Sequence, residues 1–289
     1  MEDSNDRESL PGHEHAGRHA SPQAATYSHR LDSPAPDASA PTGGAGDAML
    51  LHTREAYRMF TGRRARSDSS EPAVVGGQRF ATLTKVLWNL SAQDNPYADW
   101  MLIRLEAAMQ GVRNDIHAET VRAEAIVAEL QRKGLTITIL GARSPTSVPL
   151  AFRSPYGYAM AELITEFDYY VRVVKTLVYR DQWSDTEGRS AIRGVGRPMR
   201  AVFVMPTPWV RALLDGELLA LSRRDFAFEA SPDATARVDL AHRRLGQLPD
   251  DVLTGAQRPR HTRRPATAST PHSAPDTAVA RRDANSGLL

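Results

Sequence analysis

The sequence predicts a mainly α-helical domain with a small β ribbon, an α+β fold in which helices dominate. Three observations carry that reading. Apolar residues at Tyr156, Met160, Leu163, Ile164, Phe167, Val171, Val174 and Val178 keep one face of a helix apolar for about six turns. A second seam, Leu105, Met109, Val112, Ile116, Ala123, Val127 and Leu130, marks a longer helix from about Tyr97 to Lys133. Strand character is confined to two short stretches: the β-branched run Leu135–Leu140 and the alternating Val148–Arg153.

Residues 1–48 are rich in Ser, Pro, Ala, Gly and His and nearly free of large apolar side chains. Such a segment cannot bury enough surface to offset chain entropy, so a disordered tail is expected. His13, His15 and His19 lie in it without a scaffold to fix metal geometry, and no metal site is expected. A single folded domain is expected over 49–255. It opens with LLHTREAYRMFTGR, a short helix or extended arm that turns at Gly62, followed by a basic surface loop with Arg63, Arg64 and Arg66. Phe80, Leu83, Val86, Leu87 and Leu90 share a helical face. Asp94, Asn95 and Pro96 then break the chain and start the long helix, which Gly134 ends, with Arg132 and Lys133 well placed against the helix dipole. Its seam packs either on a partner chain or on the helix at 156–180.

Leu135–Leu140 reads as a strand that hairpins through GARSPTS onto Val148–Arg153, where Pro149 restricts pairing. Ser154 as N-cap and Pro155 as first helical residue open the helix at 155–180. Ser184 and Glu187 form a capping box for a helix at 185–200. Gly194, Gly196 and Pro198 weaken that helix, so it is either continuous or broken there. A helical WVRALLDGELLAL follows, and Ser231–Pro232 starts a last helix with Ala236, Leu240 and Leu245 facing inward. From Ala256 the chain is again rich in Pro, Thr, Ser, Ala and Arg, and 256–289 is expected to be a disordered basic tail.

The absence of cysteine excludes disulfides, a thiol nucleophile and a Cys-based zinc site. No apolar run approaches the roughly 20 residues of a membrane span, and the N-terminus has no signal-peptide core. A soluble, cytoplasmic, bacterial-type protein is expected. The formal charge of +2 conceals an uneven distribution: residues 49–260 hold 29 basic and 24 acidic side chains. All the cations except Lys85, Lys133 and Lys175 are arginines, the residue suited to phosphate and guanine recognition. Arg189, Arg193, Arg197 and Arg200 would line one face of a helix. Either they meet external anions, for which nucleic-acid phosphates are the natural choice, or they are a solvated face paired with nearby Asp and Glu.

Enzyme signatures are missing. Gly194-Val195-Gly196 lacks the third glycine and the βαβ setting of a dinucleotide site. There is neither a Walker lysine motif nor a GxSxG elbow. His52, His117 and His242 are isolated, and Asp94, Asp99, Glu162, Glu166 and Asp168 read as caps or helix-surface residues. A non-enzymatic protein without a cofactor is expected.

The blocks LHTREAYRMFTGR, RFATL, DNPYADWMLIRLE, VPLAFRSPYGYAMAELITEFDYYVR and LGQLPDDVLTG occur in this order. Over roughly 49–256 the chain thereby resembles the integrating-conjugative-element proteins grouped with the AcaB-like transcriptional regulators. The resemblance implies a dimeric DNA-binding regulator of a mobile element, with a ribbon-helix-helix-like unit embedded in the helical domain. In such a unit two chains pair their strands and the ribbon enters the major groove. Carried over, the ribbon is Val148–Arg153, presenting Pro149, Ala151 and Arg153, and the helices are 155–180 and 185–200. Arg153 would touch bases or phosphates, and Arg189, Arg193, Arg197 and Arg200 phosphates. Leu135–Leu140, with Thr136 and Thr138, is the competing ribbon. The alternative is an accessory or structural protein of the element, joining other element proteins through the 97–133 seam.

Overall fold

Ser154 and Pro155 begin a helix where the sequence places it, and most of the larger elements pack on that helix. The computed structural model describes residues 46–63 and 73–263. The chain runs β1 (Ala48–Leu51), α1 (Arg54–Thr61), α2 (Gly77–Ala92), α3 (Pro96–Arg132), β2 (Thr146–Pro149), α4 (Pro155–Tyr179), α5 (Asp185–Val204) and α6 (Pro206–Leu213), then a 3-10 turn (Arg223–Phe226), α7 (Pro232–Leu245) and α8 (Asp250–Thr254). The mainly helical class with a small antiparallel ribbon is what the sequence predicts. Residues 1–45 and 264–289, which make up most of the sequence-read tails and hold the three tail histidines, lie outside the described residues, as do Arg64 and Arg66.

α1, α2, α3, α5 and β1 all pack on α4. Its apolar face is accordingly broad: Met160, Leu163, Ile164, Phe167, Val171 and Val174 are buried. The α3 seam is buried in the same chain, Leu105 through Ile116 in the main core and Ala123, Val127 and Leu130 in a second cluster with Val173 and Leu177 of α4. Of the two sequence alternatives for that seam, packing within the chain is the one realised, so it offers no free surface to another protein.

The ribbon differs from the expectation in extent and partner. β2 pairs antiparallel with β1 of the same chain, in the register Met49↔Val148 and Leu51↔Thr146. Met49, Leu51 and Val148 point into the core, while Leu50, Ser147 and Pro149 face out. One further bond, from Leu150 N–H to the Asp47 carbonyl (2.8 Å), ends the pairing. Ala151–Arg153 are not strand, because the chain must turn into α4 and Phe152 folds back over Gly157, where any added side chain would meet the ring at 2.6 Å. Leu135–Leu140 forms no strand at all. Ile137 and Ile139 enter the second apolar cluster, and side chains meet the backbone polar groups. Thr176 Oγ1 accepts from Leu140 N–H (2.9 Å), Arg172 Nε donates to the Leu140 carbonyl (2.8 Å), and Gln131 Nε2 donates to the Ile137 carbonyl (3.2 Å). β-branched composition reflects fit to a half-buried surface, and here the surface is helical.

α5 is one continuous helix despite Gly194, Gly196 and Pro198. Two of its glycines mark close approach: a side chain at Gly188 would strike Val178 at 2.5 Å, and one at Gly196 would meet Met59 at 3.3 Å and Phe167 at 3.6 Å. As α5 advances, its contacts step back along α4, so the two helices are antiparallel. α7 turns Ala234 and Ala241 inward, not Ala236, which is exposed.

Two carboxylates expected at caps or on helix surfaces are buried ties. Asp168, in α4, accepts from the N–H groups of His52 (3.0 Å) and Thr53 (2.8 Å) and from the Thr53 hydroxyl (2.6 Å). Asp99, in α3, accepts from Ser91 and pairs with Arg223 at 2.8 Å. The Arg223 guanidinium also bonds Asp94 (2.9 Å) and the carbonyls of Val252 and Leu253 (2.8 Å each). Past Gly255 the described chain stays seated. Arg260 N–H donates to Glu106, the Tyr156 hydroxyl donates to Glu106 and to the His261 carbonyl, and Arg263 lies over the Trp88 ring.

Replacing Arg223 strands the Asp99 carboxylate in a buried site and frees two carbonyls. Arg223→Ala is expected to lower unfolding free energy by about 3–5 kcal/mol, read from the urea midpoint. A loss under about 1 kcal/mol would show that the pin is dispensable.

Candidate nucleic-acid interface

Helix α5 opens with the capping box the sequence predicts. The Ser184 hydroxyl accepts from Glu187 N–H, and the Glu187 carboxylate accepts from Ser184 N–H at 2.7 Å. The backbone bond and then the hydroxyl bond from Ser184 hold the Glu187 carboxyl below its ordinary range.

From that cap the helix carries Arg189, Arg193, Arg197 and Arg200, all exposed. At 1.5 Å rise per residue the row spans about 16 Å. None of the four forms an ion pair among the described residues. Among the described residues their side-chain hydrogen bonds are long and local: Arg189 to the Thr186 hydroxyl (3.4 Å) and Arg200 to the Gly196 carbonyl (3.5 Å). Several other arginines are matched by acids, as in Arg113 with Glu162 and Glu166, Arg237 with Asp225, and Arg244 with Asp215. Like charges at i,i+4 cost a helix a few tenths of a kcal/mol per pair, so the row is not there for helix stability.

Arg153 is exposed at the bend before α4. No described contact joins it to the α5 row, so the structure brings together four of the five sequence-predicted contacts and leaves the fifth on another element.

Grooves run along both sides of α5. One, about 340 Å³, lies between α1, α4 and α5, with Val174, Val178 and Ile192 on its floor and Glu55, Lys175 and Arg189 at its rim. The other, about 370 Å³, lies toward α3, beside Asp115, Glu119 and Arg122. Glu55 and Lys175 form an ion pair at 2.7 Å, which neutralises the first rim on the α1 and α4 side. Among the described residues no group of three His, Asp or Glu side chains is placed to hold a metal ion, and no helix is long and apolar enough to cross a membrane.

The family model described as transcriptional regulator AcaB matches residues 44–264. The chain belongs to the AcaB family. That span takes in every described secondary-structure element and the seated segment past Gly255. Among solved structures, the selenomethionine-containing AcaB from uropathogenic E. coli is similar at 10% identity and a TM-score of 0.42, over 72% of this chain and 94% of that one. No curated protein sequence matches. As an AcaB family member, the chain is placed among transcriptional regulators.

Sequence reading missed Asp168, Asp99 and Arg223 as a positioning set. The pairing of Asp99 with Arg223 joins residues 124 apart in sequence, and no local signal marks it. Ser184→Ala is expected to destabilise the protein by about 1 kcal/mol and to return the Glu187 carboxyl toward its ordinary value. Because the folded value is depressed, the cap's contribution is present above about pH 4.3, the unfolded glutamate value, and is lost as pH falls through the folded one. Acid titration of the side-chain carboxyl by NMR, in both proteins, measures this.

Proposed function

We propose that this AcaB-family regulator binds DNA through the arginine face of α5. One observation supports it most: a row of four exposed arginines, continuous over three turns, without a carboxylate partner among the described residues. Such a row repels itself in water and is relieved by a polyanion, whose condensed counterions are released on binding. Its regular spacing suits a phosphate backbone more than a compact ligand. Family membership supplies the regulatory context, and the resemblance to conjugative-element proteins suggests an element-borne regulator that works as a homodimer.

The intrachain ribbon shifts the burden of this reading. With β2 paired to β1, contact falls chiefly to α5, with Arg153 as a separate phosphate contact. Phosphate contacts position a protein on the duplex and carry no sequence information of their own.

The test is binding to duplex DNA from the element's promoters across a salt series. The protein is expected to retard it, with affinity falling steeply as salt rises. Substituting Ala at Arg189, Arg193, Arg197 and Arg200 together should reduce the log–log salt slope by about 3 to 4 and leave the urea midpoint within about 0.5 kcal/mol of the parent. Absence of retardation at low salt would refute the reading. Sedimentation equilibrium with and without DNA checks the homodimer.

A further inference from the structure

We infer that the DNA-contacting surface continues from α5 onto α1, where Arg54 and Arg58 form a second row of phosphate contacts. This rests on the α5 reading and adds residues that neither the helix pattern nor the family match assigns.

The two helices are neighbours. Gly196, which lies between Arg193 and Arg200 on α5, faces the Met59 methyl group so closely that a side chain there would touch it at 3.3 Å. Glu55 of α1 and Arg189 of α5 share the rim of one groove. On α1, Ala56, Met59 and Phe60 are buried, which turns Arg54 and Arg58 outward. On α5, Gly188, Val195, Gly196 and Met199 are buried, which turns the arginine row outward as well. The shared rim therefore separates two rows of guanidinium groups that both face solvent.

The α1 row has the same unexplained character as the α5 row. Neither Arg54 nor Arg58 forms an ion pair among the described residues. The acid on the same helix, Glu55, is taken by Lys175 of α4. Arg54 is the first residue of α1, where the helix dipole disfavours a cation. Arg58, four residues on, adds a like-charge repulsion. Arg58 stands in the last turn, where the dipole favours it, so the local cost falls on Arg54 and on the repulsion between the two, and a phosphate chain lying along the groove relieves both. Tyr57, half-exposed beside them, adds a hydroxyl able to donate to a phosphate oxygen.

The test compares variants of the full chain on one duplex across a salt series. Arg54→Ala with Arg58→Ala is expected to lower the salt slope by about 2 and to weaken binding equally on an unrelated duplex. Arg54→Lys with Arg58→Lys should keep the slope, since charge suffices for phosphate. Arg224→Ala with Arg243→Ala, exposed arginines on the 3-10 turn and α7, should leave it unchanged. The inference is overturned if the α1 alanine variant keeps the parental slope while the α5 variant loses it; that result leaves the α5 reading standing. A parent protein that does not bind overturns both.

Discussion

A buried carboxylate on the central helix governs where the surface helices lie. Asp168 sits within the most enclosed part of α4 and takes three hydrogen bonds from the start of α1. It supplies a negative charge at a helix N-terminus, where the dipole favours one, and it meets backbone donors that would otherwise be orphaned. α1 has only eight residues, too few to be stable by itself. Its orientation is therefore imposed from α4. Through α1 the same bond orients the preceding strand, which closes the ribbon against β2, and it sets the groove that α1 shares with α5.

The rest of the body is built to hold charge quietly. Arg223 satisfies its guanidinium with two carboxylates and two carbonyls. At Asp225, burial would raise the carboxyl, and the bonds from Arg237 and from Ser222 N–H outweigh it and hold it low. Tyr156 is buried against Glu106, and both burial and that neighbour push its hydroxyl up, so it stays a donor. Against this background the four regularly spaced arginines of α5, none of them in an ion pair among the described residues, stand out. Natural sequences tolerate such local conflicts chiefly where function requires them.

The helices were legible because their signals are local. Caps at Ser154 and Ser184, the proline at 155 and the α3 seam need only neighbouring residues to be read. The arginine row was legible for the same reason, since a helical face follows from spacing. Its lack of partners was not, because pairing with carboxylates on other elements depends on the fold. The ribbon failed as a local reading. LTITIL has better strand composition than the residues around Met49, yet the latter pair, because Asp168 carries them to β2 while Ile137 and Ile139 find apolar cover beside Val173 and Leu177. Likewise Asp99 and Asp168 look like ordinary surface acids in sequence, and only their distant donors show otherwise.

The ribbon joins residues on either side of a 94-residue span, from His52 to Pro145. Closing a loop of that length costs an entropy of about 4 kcal/mol, and a four-residue pairing does not repay it alone. The strands can meet only after α2, α3 and α4 have packed and brought their ends together. The ribbon is thus a late event in folding, and its formation is unimolecular, so it is insensitive to protein concentration in a way that a ribbon shared between two chains is not. Whatever assembly the protein enters, each chain arrives with this piece already finished.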